Sequence, residues 1–221
     1  MNFKFNIFME AFPDIIPFVL TTLILALIAF TFALILSVIL AIIVEYKVPV
    51  LFQITKIYIS FFRSTPMISQ LFFFYFGVTP IIPFLKSAPP SISIILVLGM
   101  NEAAFMAETI RGALSSVDKG QYEAALVTGM TELQAMKRIV LPQAIRVAIP
   151  GLSNSFIGTI KGTSLGFTIG VVEIMAEAKL LSSKNYRIME AYMAALVIYW
   201  ILIAILERGQ KWLEKKINVA Y

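Results

Sequence analysis

An uncharged apolar stretch near the N-terminus constrains this chain more than any other feature. Residues 15–44, bounded by Asp14 and Glu45, carry no charged side chain over 30 positions. An α-helix needs about 20 apolar residues to cross the hydrocarbon core of a bilayer, so this stretch can span it with tilt. It is too long for the apolar part of a signal peptide, and the preceding residues carry one Lys against two acidic residues. The stretch therefore predicts an uncleaved transmembrane helix.

The overall composition also indicates an integral membrane protein. Hydrophobic residues make up 59% of the 221 positions and charged residues 14%, against about 25% charged residues in soluble domains. This balance excludes a soluble enzyme, a nucleic-acid-binding domain, a disordered chain and a disulfide scaffold. The net charge of +5 is interpreted as Lys and Arg retained on the cytoplasmic side, not as a sign of a nucleic-acid partner. Because the chain has no Cys and no His, it offers no thiolate or imidazole for a metal site or for acid–base catalysis.

The hydropathy pattern predicts an all-α membrane protein with five transmembrane helices in one domain, residues 1–221. The predicted spans cover residues 15–44, 57–78, 89–110, 147–172 and 188–206. With the N-terminus outside, eleven Lys and Arg residues lie on the cytoplasmic side and five on the outer side. This asymmetry predicts an external N-terminus and a cytoplasmic C-terminus. The basic tail after the last span is expected to form a short amphipathic helix that anchors this topology.

The polar loop between the third and fourth spans, residues 112–146, predicts two short helices joined at a glycine. Gly129 follows a helix-forming stretch and suits the left-handed residue after a helix. Thr131 and Gln134 have the spacing of a capping box, which opens a second helix. Pro142 is expected to break or redirect the chain after that helix. The sequence therefore predicts a compact cytoplasmic projection rather than a plain surface loop.

Several charged residues lie within the predicted spans. Insertion of each charged residue at the centre of a transmembrane helix costs about 2.5–3.5 kcal/mol. These residues are therefore expected to face a cavity, to pair with each other or to lie near an interface. Arg63 is close to the inner end of its span and is interpreted as a structural anchor. Glu108 is one turn from Arg111, which predicts a local ion pair at the cytoplasmic edge. Glu102 and Lys161 lie deeper and are predicted to line a pathway through the membrane.

The polar loop also carries a spaced motif. Its members, in order, are Glu123, Ala124, Ala125, Gly129, Ile139, Leu141 and Pro142. This arrangement resembles the E-A-A-x3-G-x9-I-x-L-P loop of the permease subunits of ABC importers at every fixed position. In that family the loop is the coupling helix, which sits in a groove of the cytoplasmic ATPase and transmits its closure to the membrane helices. The resemblance implies the same role for these residues.

Three further stretches resemble the polar amino acid branch of these permeases. Residues 61–66 are similar to F-R-G-T-P, residues 101–112 to N-S-A-A-Y-x-A-E-x-x-R-G, and residues 161–165 to K-D-T-S-L. The resemblance implies uptake of a polar amino acid by a type I importer, through alternating access, in the bacterial inner membrane. The implied partners are a second permease copy or a paralogue, two ATPase subunits that bind ATP and Mg²⁺, an extracellular solute-binding protein and membrane lipid. This chain itself is expected to bind no cofactor and no metal.

Two positions depart from the pattern of that branch. Glu102 replaces a small residue, and Gly162 replaces Asp. Glu102 is therefore expected either to pair with Lys161 in place of the missing Asp, or to face the substrate and select an ammonium group. A zwitterionic substrate also needs neutral hydrogen-bonding groups, and four side chains are candidates for them: Asn101, Gln70, Thr163 and Ser164. Each is interpreted equally well as a helix–helix hydrogen bond.

A repeat of small residues marks the fourth span. Its members are Gly158, Gly162, Gly166 and Gly170. Small residues at this spacing let helices approach closely. The repeat is expected to form a contact between two permeases, a segment that moves during gating, or ordinary packing within one subunit.

Other functions remain open from the sequence. The first is an ABC permease for another small solute, such as a peptide or an anion. The second is a secondary transporter that works alone. The internal repeats common in such transporters are not evident in this sequence, and the coupling loop would have no purpose in one. The chain is not expected to hydrolyse ATP, because a P-loop needs a Gly-Lys pair and none is present.

Overall fold

The computed structural model describes residues 3–218, and this part of the chain is helical without a β-strand. The predicted all-α class is therefore confirmed. Eleven α-helices, α1 to α11, follow one another in the described residues. Three hydrophobic clusters hold them together, one around α1 and α11 and two between α2, α6 and their neighbours.

The N-terminal part consists of α1 (Phe5–Ile15) and α2 (Phe18–Glu45). The first predicted span therefore starts three residues later than expected. α2 has 28 residues without Gly or Pro, which corresponds to about 42 Å. Ala26, Ala29 and Ala33 follow one face of α2 and are fully buried, so that a neighbouring helix approaches closely.

The second predicted span is interrupted. α3 (Leu51–Ser64) and α4 (Met67–Phe72) are separate helices. Between them Thr65 is extended, with φ −115° and ψ 146°, because the residue before a proline avoids helical conformation. The single helix expected over residues 57–78 is therefore divided at Pro66. α4 continues as a wider helical turn over Phe73–Val78.

The central helix of the fold is α6 (Pro90–Ser115), which follows the one-turn helix α5 (Pro83–Lys86). α6 packs against α2, α3, α4 and α9. At Gly99 a Cβ atom would lie 3.1 Å from the Ala29 carbonyl oxygen, so α2 and α6 are in backbone contact. The third predicted span lies within α6, which continues five residues beyond its expected end.

The loop and the fourth predicted span form α7 (Lys119–Val127), α8 (Glu132–Ala135) and α9 (Leu141–Thr163). The predicted break at Pro142 is wrong, since a widened turn joins α8 directly to α9. In that turn the Leu141 N–H donates to the Met136 carbonyl oxygen, so the hydrogen-bond ladder changes register where proline has no N–H to give. α9 therefore starts six residues before the expected boundary, and it continues as a short 3₁₀ helix beyond Thr163.

The C-terminal part consists of α10 (Ile174–Asn185) and α11 (Ile188–Asn218). α11 has 31 residues and a length of about 46 Å. The predicted last span and basic tail are one continuous helix, because the residues after position 206 are mostly good helix formers. α1 packs along α11, and the Lys4 N–H donates to Glu190 Oε1 at 3.1 Å.

Three helices of the described residues are long and apolar enough to cross a membrane. They are Phe18–Glu45, Pro90–Ser115 and Ile188–Lys216, and Met67–Val78 is a shorter apolar helix. Large apolar side chains cover their outer faces, for example Leu20 at 65% exposure, Leu196 at 69% and Trp200 at 72%. Such a surface suits contact with lipid rather than with water.

Candidate functional site

The polar loop folds into a compact projection, residues 118–135, in which both predicted caps are present. α7 begins where the Gly120 N–H donates to Asp118 Oδ1 at 2.8 Å. Gly129 has φ +89°, and a Cβ there would meet nothing within 4 Å, so its conformation rather than space favours glycine. The Gln134 N–H donates to Thr131 Oγ1 at 3.3 Å, and the Thr131 N–H donates to Gln134 Oε1 at 2.9 Å. The two predicted helices are therefore joined at the expected glycine.

The seven motif residues divide into an outer and an inner set. The exposed ones are Glu123, Ala124, Gly129 and Pro142. Ala125 is buried, and Ile139 and Leu141 are half-buried. The outer set is free to contact another molecule, and the inner set packs the projection against its own subunit.

Two exposed apolar side chains extend the outer set. Val127 is 88% exposed and Leu133 is 63% exposed. Apolar residues at the tip of a polar projection indicate a contact surface. Neither was predicted from the sequence. For Val127 a signal was available, since its spacing of one turn from Glu123 places both on one face of α7; Leu133 lies in α8.

A cleft of about 820 Å³ lies between the projection and the ends of α2 and α6. Its charged lining residues are Glu45, Asp118, Lys119, Glu123 and Glu132. Desolvation and the nearby Glu132 carboxylate raise the pKa of the Tyr122 hydroxyl. Four carboxylates against one ammonium group suit a docked protein that presents cationic side chains.

A side-chain hydrogen bond connects the projection to α9. Gln143 Nε2 donates to Gln121 Oε1 at 2.5 Å and to the Ile139 carbonyl oxygen at 2.9 Å. Gln121 belongs to α7 and Gln143 to the first turn of α9. This hydrogen bond joins α7 to the start of a long helix of the bundle. No sequence signal selected this pair.

Asn101 and Gln70 meet at the break between α3 and α4. Asn101 Nδ2 donates to Gln70 Oε1 at 2.9 Å and to the Phe62 carbonyl oxygen at 3.0 Å. Gln70 Nε2 donates to the Phe62 carbonyl oxygen at 3.1 Å and to Thr65 Oγ1 at 2.8 Å. Both amides are buried, and they satisfy a carbonyl group that the end of α3 leaves free. In this structure they act as helix–helix hydrogen bonds.

The predicted ion pair at the edge of α6 is present. Arg111 donates to Glu108 Oε2 at 2.7 Å. Arg63 is exposed and lies over the Phe105 ring, with 5.6 Å from the guanidinium carbon to the ring centroid. Arg63 is in the last turn of α3 and lies against α6, not at the inner end of its span as the sequence predicted from its position.

Glu102 and Lys161 are not paired. Within residues 3–218 no ion pair joins them. Glu102 is half-buried, and its Oε1 lies 3.4 Å from the position of a Cβ on Gly158. Lys161 is exposed near the end of α9. The carboxylate therefore points to the contact between α6 and α9, and the ammonium group points away from the subunit's core.

The hydroxyl groups of span four bond within their own helix. Thr163 Oγ1 donates to the Ile160 carbonyl oxygen and Ser164 Oγ to the Lys161 carbonyl oxygen, each at 2.7 Å. Each hydroxyl oxygen retains lone pairs and remains an acceptor.

The glycine repeat serves packing within the subunit. A Cβ on Gly162 would lie 2.7 Å from Leu98 Cδ1 of α6, and one on Gly166 would lie 3.1 Å from Val171 Cβ. Gly170 has φ +87° and ends the 3₁₀ helix. Close packing inside one chain, one of the three expectations, accounts for Gly162 and Gly166, whereas the left-handed conformation accounts for Gly170, where a Cβ would meet nothing within 4 Å.

A buried carboxylate that the sequence analysis missed connects three helices. Glu173 is 0% exposed and begins α10, where its Oε1 accepts from the Ala176 N–H at 3.0 Å. Tyr199 of α11 donates its hydroxyl to Glu173 Oε2 at 2.7 Å. Thr22 of α2 accepts from the next backbone N–H, that of Ile174, at 3.5 Å. The spacing of a cap, an acidic residue three positions before Ala176, was the available signal.

Comparisons with known proteins agree with these features. The family described as "Binding-protein-dependent transport system inner membrane component" matches residues 33–219. This chain belongs to that family. A relative from Vibrio harveyi, described as a probable amino-acid ABC transporter permease protein, is 48% identical over 221 residues, which is 100% of this chain and 99% of the relative. A probable amino-acid permease protein of Bacillus subtilis (strain 168) is 45% identical over 79% of this chain and 78% of its own.

A solved structure shows the same fold. The crystal structure of an amino acid ABC transporter with histidines superposes with a TM-score of 0.90 at 28% identity, covering 98% of this chain and 100% of the other. The chain is thus an inner membrane component of a transport system and not an enzyme. Family membership also disfavours a secondary transporter that works alone.

Proposed function

We propose that this chain is the permease subunit of an ATP-driven importer that moves polar amino acids into the bacterial cell. The observation that carries the proposal is the projection, whose exposed motif residues and apolar tip form a docking surface connected to α9. The names of the relatives from Vibrio harveyi and Bacillus subtilis support an amino acid as the substrate. The names of these relatives do not support the alternative solutes, a peptide or an anion.

We propose one transmembrane domain with five crossings and an external N-terminus. α2, α6 and α11 cross as single helices, α3 and α4 cross together, and α9 crosses with its 3₁₀ extension. The distribution of Lys and Arg supports this topology. It places the projection and the C-terminal end of α11 in the cytoplasm, and α10 on the outer side.

The proposed assembly contains a second permease, a copy or a paralogue, with two ATPase subunits and an extracellular solute-binding protein. ATP and Mg²⁺ bind to the ATPases, where hydrolysis supplies the energy. Each ATPase docks on the outer set, with Val127 and Leu133 in an apolar contact and Glu123 among cationic groups. The acidic cleft beside α7 extends that complementary surface.

Movement then passes from the projection to the membrane part through α9. The Gln121–Gln143 bond and the inner motif residues move α9 with α7. On the proposed pathway, the Glu102 carboxylate accepts hydrogen bonds from the ammonium group of the substrate. The Lys161 ammonium group attracts the carboxylate of the substrate. Ser164, which is half-buried, offers a neutral acceptor, whereas Thr163 is fully buried and contributes to packing within the subunit. The hydrogen bonds of Asn101 and Gln70 stabilise the break between α3 and α4, which lies beside this pathway.

The test compares two glycines on the cytoplasmic side. The chain is reconstituted in liposomes with its ATPase, and ATP hydrolysis is measured with and without substrate-loaded binding protein. Gly129→Ala is expected to cost about 1 kcal/mol in the left-handed turn and to abolish most of the stimulation. The control is Gly209→Ala, since Gly209 lies in α11 and its Cβ would also meet nothing within 4 Å. Equal stimulation in both variants, or uptake that follows an ion gradient without ATP, would contradict the proposal.

A binding screen identifies the substrate. The cognate binding protein is tested against the common amino acids, short peptides and inorganic anions by calorimetry. Binding of one or a few polar amino acids is the expected result. Selective binding of a peptide or an anion would indicate that the chain belongs to another branch of the family.

A further inference from the structure

A second cleft, of about 600 Å³, lies between α3 and α6 and is not used by the mechanism above. Cationic groups from both helices line it, Lys56 and Arg63 from α3 and Arg111 from α6. Lys56 and Arg63 are seven residues apart, so they lie on one face of α3 about 10 Å from each other. The hydroxyl groups of Ser60 and Ser64 line the same cleft.

The positive charge of this basic cleft is only partly compensated. Its carboxylate, Glu108, is already bound to Arg111. Lys56 Nζ lies 5.3 Å from the centroid of the Phe52 ring, and Arg63 lies over Phe105. In the part of the chain that the structure describes, neither Lys56 nor Arg63 has an acidic group within ion-pair distance. An aromatic face stabilises a cation but does not neutralise it.

We propose that the basic cleft binds the phosphate of an anionic phospholipid headgroup. The inference rests on the topology proposed above, in which α3 begins and α6 ends on the cytoplasmic side. Lys56 and Arg111 then lie toward the cytoplasmic leaflet, where anionic lipids attract basic pockets between transmembrane helices, and Arg63 lies deeper, in the last turn of α3. The phosphate accepts hydrogen bonds from Arg63, Lys56 and the serine hydroxyls. It also offsets the cost of a guanidinium group within a membrane span.

The surface beside the cleft favours a lipid over a soluble anion. On the neighbouring face of α3, Ile54 is 56% exposed, Ile57 70% and Phe61 51%. These side chains form an apolar strip next to the cations. A ligand with an anionic head and acyl chains matches both surfaces at once, whereas a soluble anion uses the cations alone.

The experiment measures lipid binding to the purified complex of the chain with its partner permease and ATPases in neutral detergent, without ATP, binding protein or substrate. The probe is a fluorescent phosphatidylglycerol, with phosphatidylcholine of the same chain length as the neutral comparison. The variant is Lys56→Gln/Arg63→Gln. The matched control is Lys211→Gln/Lys215→Gln, which removes the same charge from exposed positions of α11.

The cleft variant is expected to bind phosphatidylglycerol about thirtyfold more weakly, which corresponds to about 1 kcal/mol for each cation. The control variant and the affinity for phosphatidylcholine are expected to change less than threefold. Glu108→Gln frees Arg111 and is expected to tighten phosphatidylglycerol binding severalfold. A purely structural role for these side chains predicts no such gain.

Two results would overturn the proposal. One is an equal loss in the cleft and control variants, which indicates a general effect of charge. The other is that water-soluble glycerol 1-phosphate binds as tightly as the lipid, which indicates a site for a free phosphate. Neither result affects the ATPase test of Gly129→Ala, so failure of the lipid site and failure of the transport function are distinguishable.

Discussion

Among single residues, Glu173 shows how one side chain organises a region that looks like a simple connection. Its carboxylate accepts from the first turn of α10 and from Tyr199, and it is fully buried. A buried carboxylate is stable only when such donors surround it. Glu173 therefore fixes α10 on the long apolar helices α2 and α11.

Two replacements of Glu173 are expected to distinguish how much its size and how much its hydrogen bonds contribute to stability. Glu173→Ala leaves the Tyr199 hydroxyl and the Ala176 N–H without their acceptor and is expected to lower the free energy of unfolding by about 3 kcal/mol. Glu173→Gln keeps an acceptor oxygen and is expected to cost about 1 kcal/mol. Thermal unfolding of the purified chain in detergent measures both. Equal losses in the two variants would show that the carboxylate is not the stabilising group.

At the level of elements, the sequence predicted what depends on local chemistry. Long apolar stretches located α2, α6 and α11, and the turn at Gly129 and the box of Thr131 and Gln134 were predicted at the correct residues. The break at Pro66 and the continuous helix through Pro142 were not. A proline alone does not decide between a break and a widened turn. At Pro66 the residue before the proline is extended and the amides of Asn101 and Gln70 bind the carbonyl group that is left free, whereas at Pro142 a widened turn of residues 136–140 keeps the helix continuous. The basic cleft and the Gln121–Gln143 bond were also unpredictable, because they join residues from different helices.

The contact of α2 with α6 leads to a prediction for two glycines of one helix. In Gly99→Ala the new Cβ overlaps the Phe32 ring and approaches the Ala29 carbonyl oxygen, which is expected to cost about 1–3 kcal/mol of stability. Gly112→Ala meets nothing within 4 Å and is expected to stabilise α6 by about 0.5–1 kcal/mol. Thermal unfolding in detergent compares the two. A neutral Gly99→Ala would mean that α2 and α6 separate easily.

For the whole molecule, the absence of Cys makes the proposed topology directly measurable. The chain contains no thiol, so every introduced cysteine is its single reactive site. The exposed large apolar side chains of α2 and α11 indicate that a bilayer surrounds the bundle. They do not distinguish the two possible orientations of the chain in that bilayer. The orientation depends on the few charged residues between the crossings.

Two cysteine variants at exposed positions are expected to label from opposite sides. Val127→Cys, at the tip of the projection, is expected to react with a membrane-impermeant maleimide only after the inner face is opened. Lys184→Cys, near the end of α10, is expected to react in intact cells. The reverse pattern would place the projection outside and would contradict the proposed docking of an ATPase.

The continuity of α9 has a mechanical consequence. The helix has 23 residues, with Pro150 inside it, and a length of about 34 Å. A rotation of the whole helix by about 10° about its Leu141 end displaces the far end by about 6 Å. Gln143 lies in the first turn, close to the pivot, and moves by less than about 1 Å in the same rotation. The Gln121–Gln143 hydrogen bond can therefore persist during this rotation, while the far end of α9 moves by more than the pitch of an α-helix, about 5.4 Å.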